Sequence, residues 1–468
     1  MIFKRLFSHK CAKPFSQVPS LKSYPLIGHT YLFLPGGPYK TERLTETVLD
    51  ISKKLGPIFK LNLGGMTLVI TTNADDTQLM YRNEGVRPHR PPFPALAHCR
   101  KKEFNSCGVV PGNGEEWYKF RTGVVSLLKP GVVSRYTQRH EIVAKNFIKY
   151  LDMQKDSSNV VEDLFEHLQR FTIEAISVVC PGVQFKCIHN ENLQFSDIMN
   201  ASKNFMDGLY STLMGPPIWK IIKTDGYKKL ESSHKVIYNV MKDHLNNLKI
   251  KYEQDAALVE EENPFMYALF QNDNMSWDDK IMLSMEVFFG GIDTTATTIA
   301  LTLHYLAENE RTQSIARNDT KSEDLRYLRA CVKETLRLSP TAGANSRFLI
   351  RDTEIGGYLI PKNTLVSAFS SVTCCDEKYF KNAKEFKPER WLREKKENYH
   401  KFASLPFGYG PRMCPGKRLA ENEMVLLIKE ILLNYKLELP NESTDIGMIY
   451  RMNRVPDQPV NIKFVPLS

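Results

Sequence analysis

The sequence lacks the cysteine patterns of disulfide-stabilised proteins and of zinc sites. Its nine cysteines are an odd number at irregular spacings, no two of them form a CxxC pair, and Cys374 and Cys375 are adjacent. A disulfide framework and a structural zinc site both need cysteines at regular, paired spacings. We therefore expect a protein of a reducing compartment whose cysteines serve other purposes.

Acidic residues are missing before Glu42, whereas Lys4, Arg5, Lys10 and other basic residues alternate with apolar ones near the N-terminus. A basic, amphipathic and acid-free N-terminus is typical of a mitochondrial transit peptide, and a disordered basic tail is the alternative. A secretory signal is disfavoured because no long apolar core follows the charges. We predict that residues 1–17 are a transit or basic leader.

Uninterrupted apolar segments of membrane-spanning length are also missing, since such a helix needs about 20 apolar residues. The long apolar stretch 281–307 carries Glu286, Asp293 and His304. A charge near the middle of such a helix is costly in lipid. We therefore expect a buried helix of a soluble core here rather than a membrane anchor.

Low-complexity tracts and internal repeats are absent, and the composition is that of a globular protein, with 42% hydrophobic and 25% charged residues. The net charge of +10 suits an acidic partner or an anionic membrane surface. The basic residues are spread along the chain and form no stripe with aromatics, which argues against nucleic acid as a partner.

Periodic patterns predict a mainly α fold with small peripheral β-sheets. A hairpin is expected over 56–72 and short strands over 348–369, each around a Gly-Gly pair. Helical patterns dominate from 113 to 340, with Asn113 as a candidate N-cap, and return over 416–433.

The segment "FGYGPRMCPGKR" places Cys414 in a loop rich in glycine and arginine, directly before a predicted helix. A cysteine thiolate can be the axial ligand of haem iron, and it needs an electropositive, partly shielded loop. Phe407 is suited to shield the sulfur and Arg412 to pair with a haem propionate. The next residue is a proline without an N–H, so a hydrogen bond to sulfur must come from further along, such as from Gly416. By chemistry alone, a structural or generic thiol remains the alternative.

The pattern Phe407-x-x-Gly410-x-Arg412-x-Cys414-x-Gly416 matches the haem-binding signature of the cytochrome P450 family. Four further motifs occur in that family's order, so the resemblance covers nearly the whole chain. It implies one haem-thiolate domain, residues 18–468, that binds haem b (iron protoporphyrin IX) through Cys414 as the ligand of the iron. The implied activity is a monooxygenase that inserts one oxygen atom from O₂ into a C–H bond.

Trp117-x-x-x-Arg121 is the first further motif, and its spacing places both side chains on one helix face. In the family, such a pair points at a haem propionate, with a surface cation–π pair as the alternative here. Arg347 lies where the family often has another propionate partner.

The second motif is Gly290-Gly291-Ile292-Asp293-Thr294-Thr295. Two glycines weaken a helix by about 1 kcal/mol each, so the helix is expected to open there. In the family, the acid and alcohol, here Asp293 and Thr294, are the catalytic pair that handles O₂ and its protons. The alternative is a kinked core helix whose hydroxyls bond to its own carbonyls.

The third and fourth motifs are Glu334-x-x-Arg337 and "FKPERW", which contains Arg390. The resemblance implies that these three residues form a buried structural network beneath the cysteine loop. Their implied role is to position that loop, with no part in the chemistry.

Four basic residues suggest the mitochondrial branch of the family. Arg329 and Lys333 precede Glu334, and Lys417 and Arg418 follow the cysteine loop. They are the implied contact for an acidic [2Fe-2S] ferredoxin, which receives electrons from NADPH through ferredoxin reductase; ordinary solvated charge is the alternative. The segment 308–329 is shorter than the family pattern.

The segment 211–229 is apolar with flanking lysines and resembles the membrane-dipping access loop of these enzymes, although a loop packed on the core is the alternative. Phe288, Phe289 and Ala342–Ala344 are expected to line the cavity. The chain most resembles arthropod mitochondrial members. Among these its resemblance is closest to the disembodied-type enzyme, which hydroxylates ecdysteroid precursors at carbon 22. That implies a steroid substrate and peripheral association with the matrix side of the inner mitochondrial membrane. A detoxification oxygenase, a non-catalytic haem-binding protein and an isomerase are rivals.

Overall fold

Helices dominate the fold and surround a large apolar core, which confirms the predicted mainly α class with small β-sheets. The structure, a computed structural model, describes residues 12–188, 193–214, 217–395, 397–440 and 445–467. In chain order the helices are α1 (Leu44–Leu55), α2 (Ala74–Arg82), α3 (Pro94–Phe104), α4 (Gly114–Val124), α5 (Pro130–Ser134), α6 (Thr137–Gln154), α7 (Leu164–Ser177), α8 (Leu193–Met214), α9 (Asp225–Gln254), α10 (Ala256–Glu262), α11 (Pro264–Phe270), α12 (Trp277–Glu308), α13 (Glu310–Asp319), α14 (Arg326–Leu338), α15 (Ser370–Thr373) and α16 (Lys417–Asn434).

The strands form small sheets beside the helices. The strands are β1 (Lys13–Pro14), β2 (Ile58–Leu63), β3 (Met66–Thr71), β4 (Val160–Val161), β5 (Asn345–Phe348), β6 (Thr353–Ile355), β7 (Tyr358–Ile360), β8 (Leu365–Ala368), β9 (Tyr435–Glu438), β10 (Met448–Tyr450), β11 (Arg454–Pro456) and β12 (Ile462–Pro466). Their orders are β2-β3-β8-β5, β1-β7-β6, β4-β12-β9 and β10-β11.

Both predicted Gly-Gly turns join antiparallel strands. Leu63 pairs with Met66 across the first turn, and Ile355 pairs with Tyr358 across the second. The four glycines have positive φ angles between 58° and 84°. Two consecutive residues with positive φ match the twist of a two-residue hairpin, and glycine adopts that conformation without strain.

Helix α12 runs through the core and confirms the buried helix predicted for 281–307. It begins at a capping box, in which the Ser276 hydroxyl accepts from the Asp279 N–H while the Asp279 carboxylate accepts from the Ser276 N–H. It is buried on most of its circumference, and α7, α9, α14 and α16 pack against it. Such an apolar helix is stable because neighbouring helices cover most of its surface.

Side-chain hydrogen bonds hold the segment 308–329 against its neighbours. Gln313 in α13 donates to the Leu437 carbonyl at 2.8 Å and accepts from the Leu437 N–H at 2.9 Å. The Asp319 carboxylate accepts from two backbone N–H groups in the first turn of α14, at 2.8 and 3.1 Å. The short connection therefore holds α14 in a fixed position.

The predicted leader falls largely on residues 1–11, which lie outside the described residues. The described part of that segment begins the small β1-β7-β6 sheet, where Lys13 pairs in parallel with Tyr358. Among the described residues, no helix is both long enough and apolar enough to cross a membrane.

Candidate active site

Cys414 lies in a tight loop immediately before the N-terminus of α16. Gly408 and Gly410 adopt φ angles of 69° and 74°, which residues with a side chain rarely adopt. A Cβ atom on Gly410 would also collide with the Glu84 carboxylate. The loop closes through a hydrogen bond of 2.9 Å from the Cys414 N–H to the Phe407 carbonyl. These local constraints fix the position of the sulfur.

Several groups near the Cys414 sulfur stabilise its thiolate form. Burial raises the pKa of Cys414, which by itself favours the protonated thiol. The backbone N–H groups of Gly416 and Lys417 and the positive charge of Arg121 lower the pKa again. The N-terminus of the 18-residue helix α16 adds partial positive charge. On balance the pKa of Cys414 stays above its usual value, because burial outweighs these groups, and a bound cation would supply the remaining stabilisation of the thiolate.

A cavity of about 360 Å³ borders the Cys414 side chain. Its walls come from the cysteine loop, from α4, from α12 and from the loop that precedes α4. Asp293 and Arg347 are not part of the wall. The residues predicted from sequence that do line it are Trp117, Arg121, Thr294, Ala342, Phe407, Arg412, Cys414 and Gly416.

Arg412 connects the cysteine loop to the start of α4. Its Nη2 donates to the Asn113 Oδ1 at 2.9 Å and to the preceding carbonyl at 2.5 Å, and its guanidinium lies 4.6 Å from the centre of the Trp117 ring. Trp117 is buried, so the alternative of a surface pair with Arg121 is wrong. Arg121 instead donates to the Met413 carbonyl at 3.0 Å.

The positive charge of Arg412 in the cavity wall is not fully neutralised by the residues around it. Nε and Nη1 of Arg412 are buried without a hydrogen-bond partner. Burial, together with repulsion from Arg90 and Arg347, lowers the pKa of Arg412 to about 8. An anionic group in the cavity would accept from the free N–H groups and remove this repulsion. Haem carries two propionates, so the arginines and the thiol together fit haem.

Arg347 lies behind the wall and already has an acidic partner. Its Nε donates to Glu84 Oε2 at 2.5 Å, and its guanidinium lies 5.2 Å from the centre of the Tyr81 ring. Burial raises the pKa of Glu84, and the charge of Arg347 opposes that shift. The role of Arg347 as a propionate partner stays a prediction.

Thr294 and Asp293 are adjacent on α12 but face different neighbours. Thr294 lines the cavity and donates to the Gly290 carbonyl at 2.9 Å. Asp293 accepts from Gln169 Nε2 on α7 at 2.7 Å. Burial raises the pKa of Asp293, and the Gln169 hydrogen bond lowers it in part. The helix is continuous here, so the expected opening is not seen, and the hydroxyl bond to the helix carbonyl matches the alternative.

Phe288 and Phe289 do not line the cavity, contrary to the prediction. The Phe289 ring stacks on Phe205 with centroids 4.5 Å apart, and Phe288 meets Phe185 edge-on at 5.8 Å. Consecutive residues on a helix point about 100° apart. The cavity face of α12 is formed by residues such as Gly290 and Thr294, so Phe288 and Phe289 point in other directions. Of the alanines in the same prediction, Ala342 lines the cavity.

Glu334 lies at the centre of a buried network of charged groups. Arg337 donates to both carboxylate oxygens, at 2.8 and 2.9 Å, and Arg390 and Trp391 each donate one further bond, at 2.8 and 2.9 Å. The remaining N–H groups of the arginines bind chiefly carbonyls of residues 374–385. The structure thus brings the three predicted network residues together and connects α14 to the segment that leads to the cysteine loop.

Comparison with known proteins decides the family. Residues 18–464 match the family described as Cytochrome P450. "Cytochrome P450 CYP12A2" of Musca domestica is 31% identical, over 98% of this chain and 92% of that protein. "Probable cytochrome P450 12a5, mitochondrial" of Drosophila melanogaster is 29% identical over 97% and 91%, respectively. The "1,25-dihydroxyvitamin D(3) 24-hydroxylase, mitochondrial" of Mus musculus is 26% identical over 96% and 89%.

The chain belongs to the cytochrome P450 family. It is a cytochrome P450 monooxygenase, and membership of the family implies haem with a cysteine thiolate ligand. The relatives above carry mitochondrial names in two of three cases. The haem-thiolate group supplies the activation of O₂ and the transfer of oxygen to a C–H bond.

The four basic residues predicted to contact a redox partner lie on two adjoining helices of this P450. Arg329 and Lys333 are exposed on α14, and Arg418 is exposed at the start of α16. Lys417 is half-buried, with its Nζ 5.6 Å from the centre of the Phe407 ring. Helix α14 packs on α16, so the four residues lie on neighbouring helices.

Several residues that reach the P450 site from distant segments were not predicted from the sequence. Arg90 lines the cavity, and its backbone N–H donates to the Asn113 Oδ1 at 3.0 Å. The Asn113 side chain therefore does not cap α4, although Asn113 is the N-cap residue. Glu286 also lines the cavity, where it forms an ion pair with the buried Arg100. Of these residues, only Glu286 could have been found from the sequence, because it is a charged residue within an apolar stretch and a buried charge needs a partner. No sequence pattern around Gln169 indicated its hydrogen bond with Asp293.

Proposed function

We propose that this P450 hydroxylates the side chain of a steroid in mitochondria, with electrons from a ferredoxin. The observation that supports this most is its similarity, over almost the full length, to a mitochondrial enzyme named as the 24-hydroxylase of a vitamin D compound, a secosteroid. The finer assignment is an ecdysteroid precursor in moulting-hormone biosynthesis, hydroxylated at carbon 22.

Each site residue has a role in this proposal. Cys414 ligates the iron, with Phe407 shielding the sulfur and the Gly416 N–H stabilising its negative charge. The propionates are held by arginines and by the Trp117 N–H; the arginines are Arg121, Arg347 and Arg412. Glu334, Arg337 and Arg390 hold the segment behind the cysteine loop in place.

Proton delivery is assigned to Asp293 and Thr294. The Thr294 hydroxyl faces the cavity, and its oxygen can accept from water while its hydrogen bonds to the Gly290 carbonyl. The Asp293 carboxyl is buried beside it, and its raised pKa makes it a better proton donor near neutral pH than an exposed carboxylate. In this proposal water carries the proton from the Asp293 carboxyl to the Thr294 hydroxyl, because the two side chains face different neighbours.

The electron donor in this proposal is an acidic [2Fe-2S] ferredoxin that docks on the basic residues of α14 and α16. Arg329, Lys333 and Arg418 are exposed, so they are available to steer an acidic partner. The mitochondrial names of the relatives support the same donor and a location on the matrix side of the inner membrane.

Peripheral contact with the membrane is assigned to the segment between α8 and α9. Ile221 and Ile222 are 89% and 66% exposed, and Lys220 and Lys223 flank them. Trp219 is buried, so part of the segment packs on the core as the alternative required, while its tip remains apolar and basic. Such a tip suits an anionic lipid surface. Residues 215 and 216 lie outside the described residues.

The leader stays part of the proposal, with residues 1–17 removed or retained as a basic tail. Import of the tagged full chain into isolated mitochondria, followed by N-terminal sequencing of the protein, tests it. Cleavage within or directly after residues 1–17, in protein recovered from inside the mitochondria, would support a transit peptide. An unprocessed chain outside the mitochondria would contradict it.

The substrate is tested by reconstituted turnover. The purified holoenzyme receives ferredoxin, its reductase, NADPH and a panel of ecdysteroid precursors and vitamin D compounds, and products are located by mass spectrometry and NMR. One side-chain alcohol is the expected result. Weak oxidation of many unrelated apolar compounds would favour a detoxification enzyme. A normal carbon monoxide spectrum without turnover from any donor would favour a non-catalytic haem protein.

A further inference from the structure

Cys374 and Cys375 form a pair of adjacent thiols outside the haem cavity. They follow α15 directly, and their sulfur atoms are 3.8 Å apart. The proposed monooxygenase chemistry uses neither of them. Cys374 is buried, whereas Cys375 is only half-buried. The pair therefore combines a fully buried cysteine with one that lies nearer the surface, whose sulfur is 3.6 Å from the Leu338 carbonyl.

The electrostatic surroundings distinguish Cys375 from the buried cysteines. Hydrogen bonding from the Cys374 thiol lowers the pKa of Cys375 to about 7 against the opposing effect of burial, and the charges of Arg337 and Arg454 contribute to the decrease. Burial raises the pKa of Cys374 well above its usual value. Burial likewise raises that of Cys180 to about 12. Since the thiolate is the reactive form, Cys375 reacts first.

We propose that Cys374 and Cys375 form a reversible disulfide when the protein meets hydrogen peroxide. The Cys375 thiolate attacks one peroxide oxygen, the O–O bond breaks, and hydroxide leaves, so that Cys375 becomes a sulfenic acid. The Cys374 sulfur then attacks the Cys375 sulfur, and its proton leaves with the hydroxyl group as water. In total the two thiols lose two electrons and two protons, and one peroxide becomes two waters.

The geometry predicts a labile disulfide. The Cα atoms of adjacent residues are about 3.8 Å apart, which is less than the usual range of about 4.4–6.8 Å for a disulfide. The sulfurs must also approach from 3.8 Å to a bond length of about 2.05 Å. A strained disulfide has a high reduction potential and is readily reduced by thiols. The pair is therefore suited to a reversible response rather than to a permanent cross-link.

Closing this ring also affects the Glu334 network. The peptide that joins the two cysteines carries the Cys374 carbonyl, which accepts from Arg337 Nη1 at 2.6 Å. Ring closure must turn that peptide, so Arg337 loses a partner while it remains buried. We expect the oxidised protein to release haem faster than the reduced protein. This consequence rests on the proposed role of the network, whereas formation of the disulfide does not.

The first test is mass spectrometry of the holoenzyme after hydrogen peroxide treatment. Free thiols are blocked with N-ethylmaleimide, and the protein is digested with trypsin. The tryptic peptide of residues 363–378 contains Cys374 and Cys375 and no other cysteine. The expected result is an unlabelled peptide that is two hydrogen masses lighter, with both labels restored after dithiothreitol. A doubly labelled peptide, or Cys375 oxidised to sulfinic acid without a disulfide, would overturn the proposal.

Two variants separate the steps. Cys374→Ser removes the resolving thiol, so the Cys375 sulfenic acid should persist and be trapped by dimedone. Cys375→Ser removes the reactive thiol, so Cys374 should stay reduced. Equal oxidation of Cys374 in that variant would contradict the assigned order.

Haem transfer to apomyoglobin, measured with and without peroxide, tests the consequence for the network. The oxidised wild type should release haem several-fold faster, and peroxide-treated Cys375→Ser should not. A disulfide without faster release would leave the thiol pair intact as a peroxide-reactive site and refute its link to Arg337.

Discussion

The amide of Gln169 donates to the carboxylate of Asp293 at 2.7 Å, and this bond joins α7 to α12 beside the haem cavity. It directs the carboxyl away from the cavity wall, which the next residue, Thr294, helps to form. Burial favours the neutral acid, whereas an N–H donor stabilises the carboxylate. The balance between these two effects determines when Asp293 can release a proton.

Replacement of Gln169 should change the pH dependence of turnover. Gln169→Leu removes the donor that opposes burial, so the pKa of Asp293 rises further. The limb of the pH profile that follows this carboxyl should move to higher pH, and more NADPH should be consumed to form hydrogen peroxide instead of product. Product and peroxide per NADPH, measured across the pH range with the best steroid of the turnover panel, give both values.

Two variants serve as controls for this prediction. Glu166→Gln alters an exposed residue of the same helix and should leave the profile unchanged. Asp293→Asn removes the titrating group, so the limb should disappear and turnover should fall about 10²-fold, as for the loss of a general acid. A wild-type profile in Gln169→Leu, with an intact carbon monoxide spectrum, would show that Gln169 does not control the carboxyl.

Sequence alone predicted the parts of the site that depend on short spacings. Glu334 and Arg337 are three residues apart on one helix, so they meet as soon as α14 forms. The tight turns around Cys414 likewise follow from glycines at 408 and 410, which adopt positive φ. Local sequence is sufficient for such features because the backbone geometry of one element determines them.

Contacts between residues that lie far apart in the chain could not be predicted from the sequence. Gln169 and Asp293 are 124 positions apart, and neither spacing nor composition predicts that α7 presents an amide there. Phe288 and Phe289 were assigned to the cavity by position, yet the rotation of α12 turns them toward Phe205 and Phe185. That rotation is decided by helix packing, which requires the whole core.

Removal of Glu334 should prevent stable haem binding. Glu334→Ala leaves Arg337 and Arg390 buried without their carboxylate, and breaking such a buried ion network costs about 3–5 kcal/mol. We expect little soluble holoprotein, a lower midpoint of urea unfolding and a reduced carbon monoxide difference spectrum per mole of protein. Glu354→Gln, an exposed acid on β6, is the matched control. Full haem content in Glu334→Ala would remove the structural role assigned to the network.

The buried pair of Glu423 and His140 should make stability depend on pH. Burial raises the pKa of Glu423 to about 8 and lowers that of His140 to about 4, and their side chains approach to 3.5 Å. Between about pH 6.5 and 8 the folded protein holds a proton on Glu423 that the unfolded chain has lost. Folding stability therefore falls as pH rises through this window, by at most about 1.4 kcal/mol per pH unit.

Below that window the two groups of this pair oppose each other. Between about pH 4.5 and 6.5, the unfolded chain binds a proton on His140 while the folded protein keeps one on Glu423, so their contributions nearly cancel. Glu423→Gln removes the carboxyl, and its urea-unfolding free energy should fall less than that of the wild type between pH 6.5 and 8. Parallel curves for the two proteins would show that Glu423 is already ionised in the folded protein.

Charge reversal on α14 should weaken the interaction with ferredoxin and leave the haem site unchanged. Arg329→Glu/Lys333→Glu replaces two exposed positive charges, so an acidic donor loses attraction during its approach. The KM for ferredoxin in cytochrome reduction should rise about tenfold, and its dependence on salt should become weaker because salt screens the charges that steer the encounter. Lys242→Glu/Lys251→Glu, at two exposed positions on α9, changes the net charge by the same amount and is the control. If both variants raise KM equally, ferredoxin responds to the total charge of the protein, and the docking surface lies elsewhere.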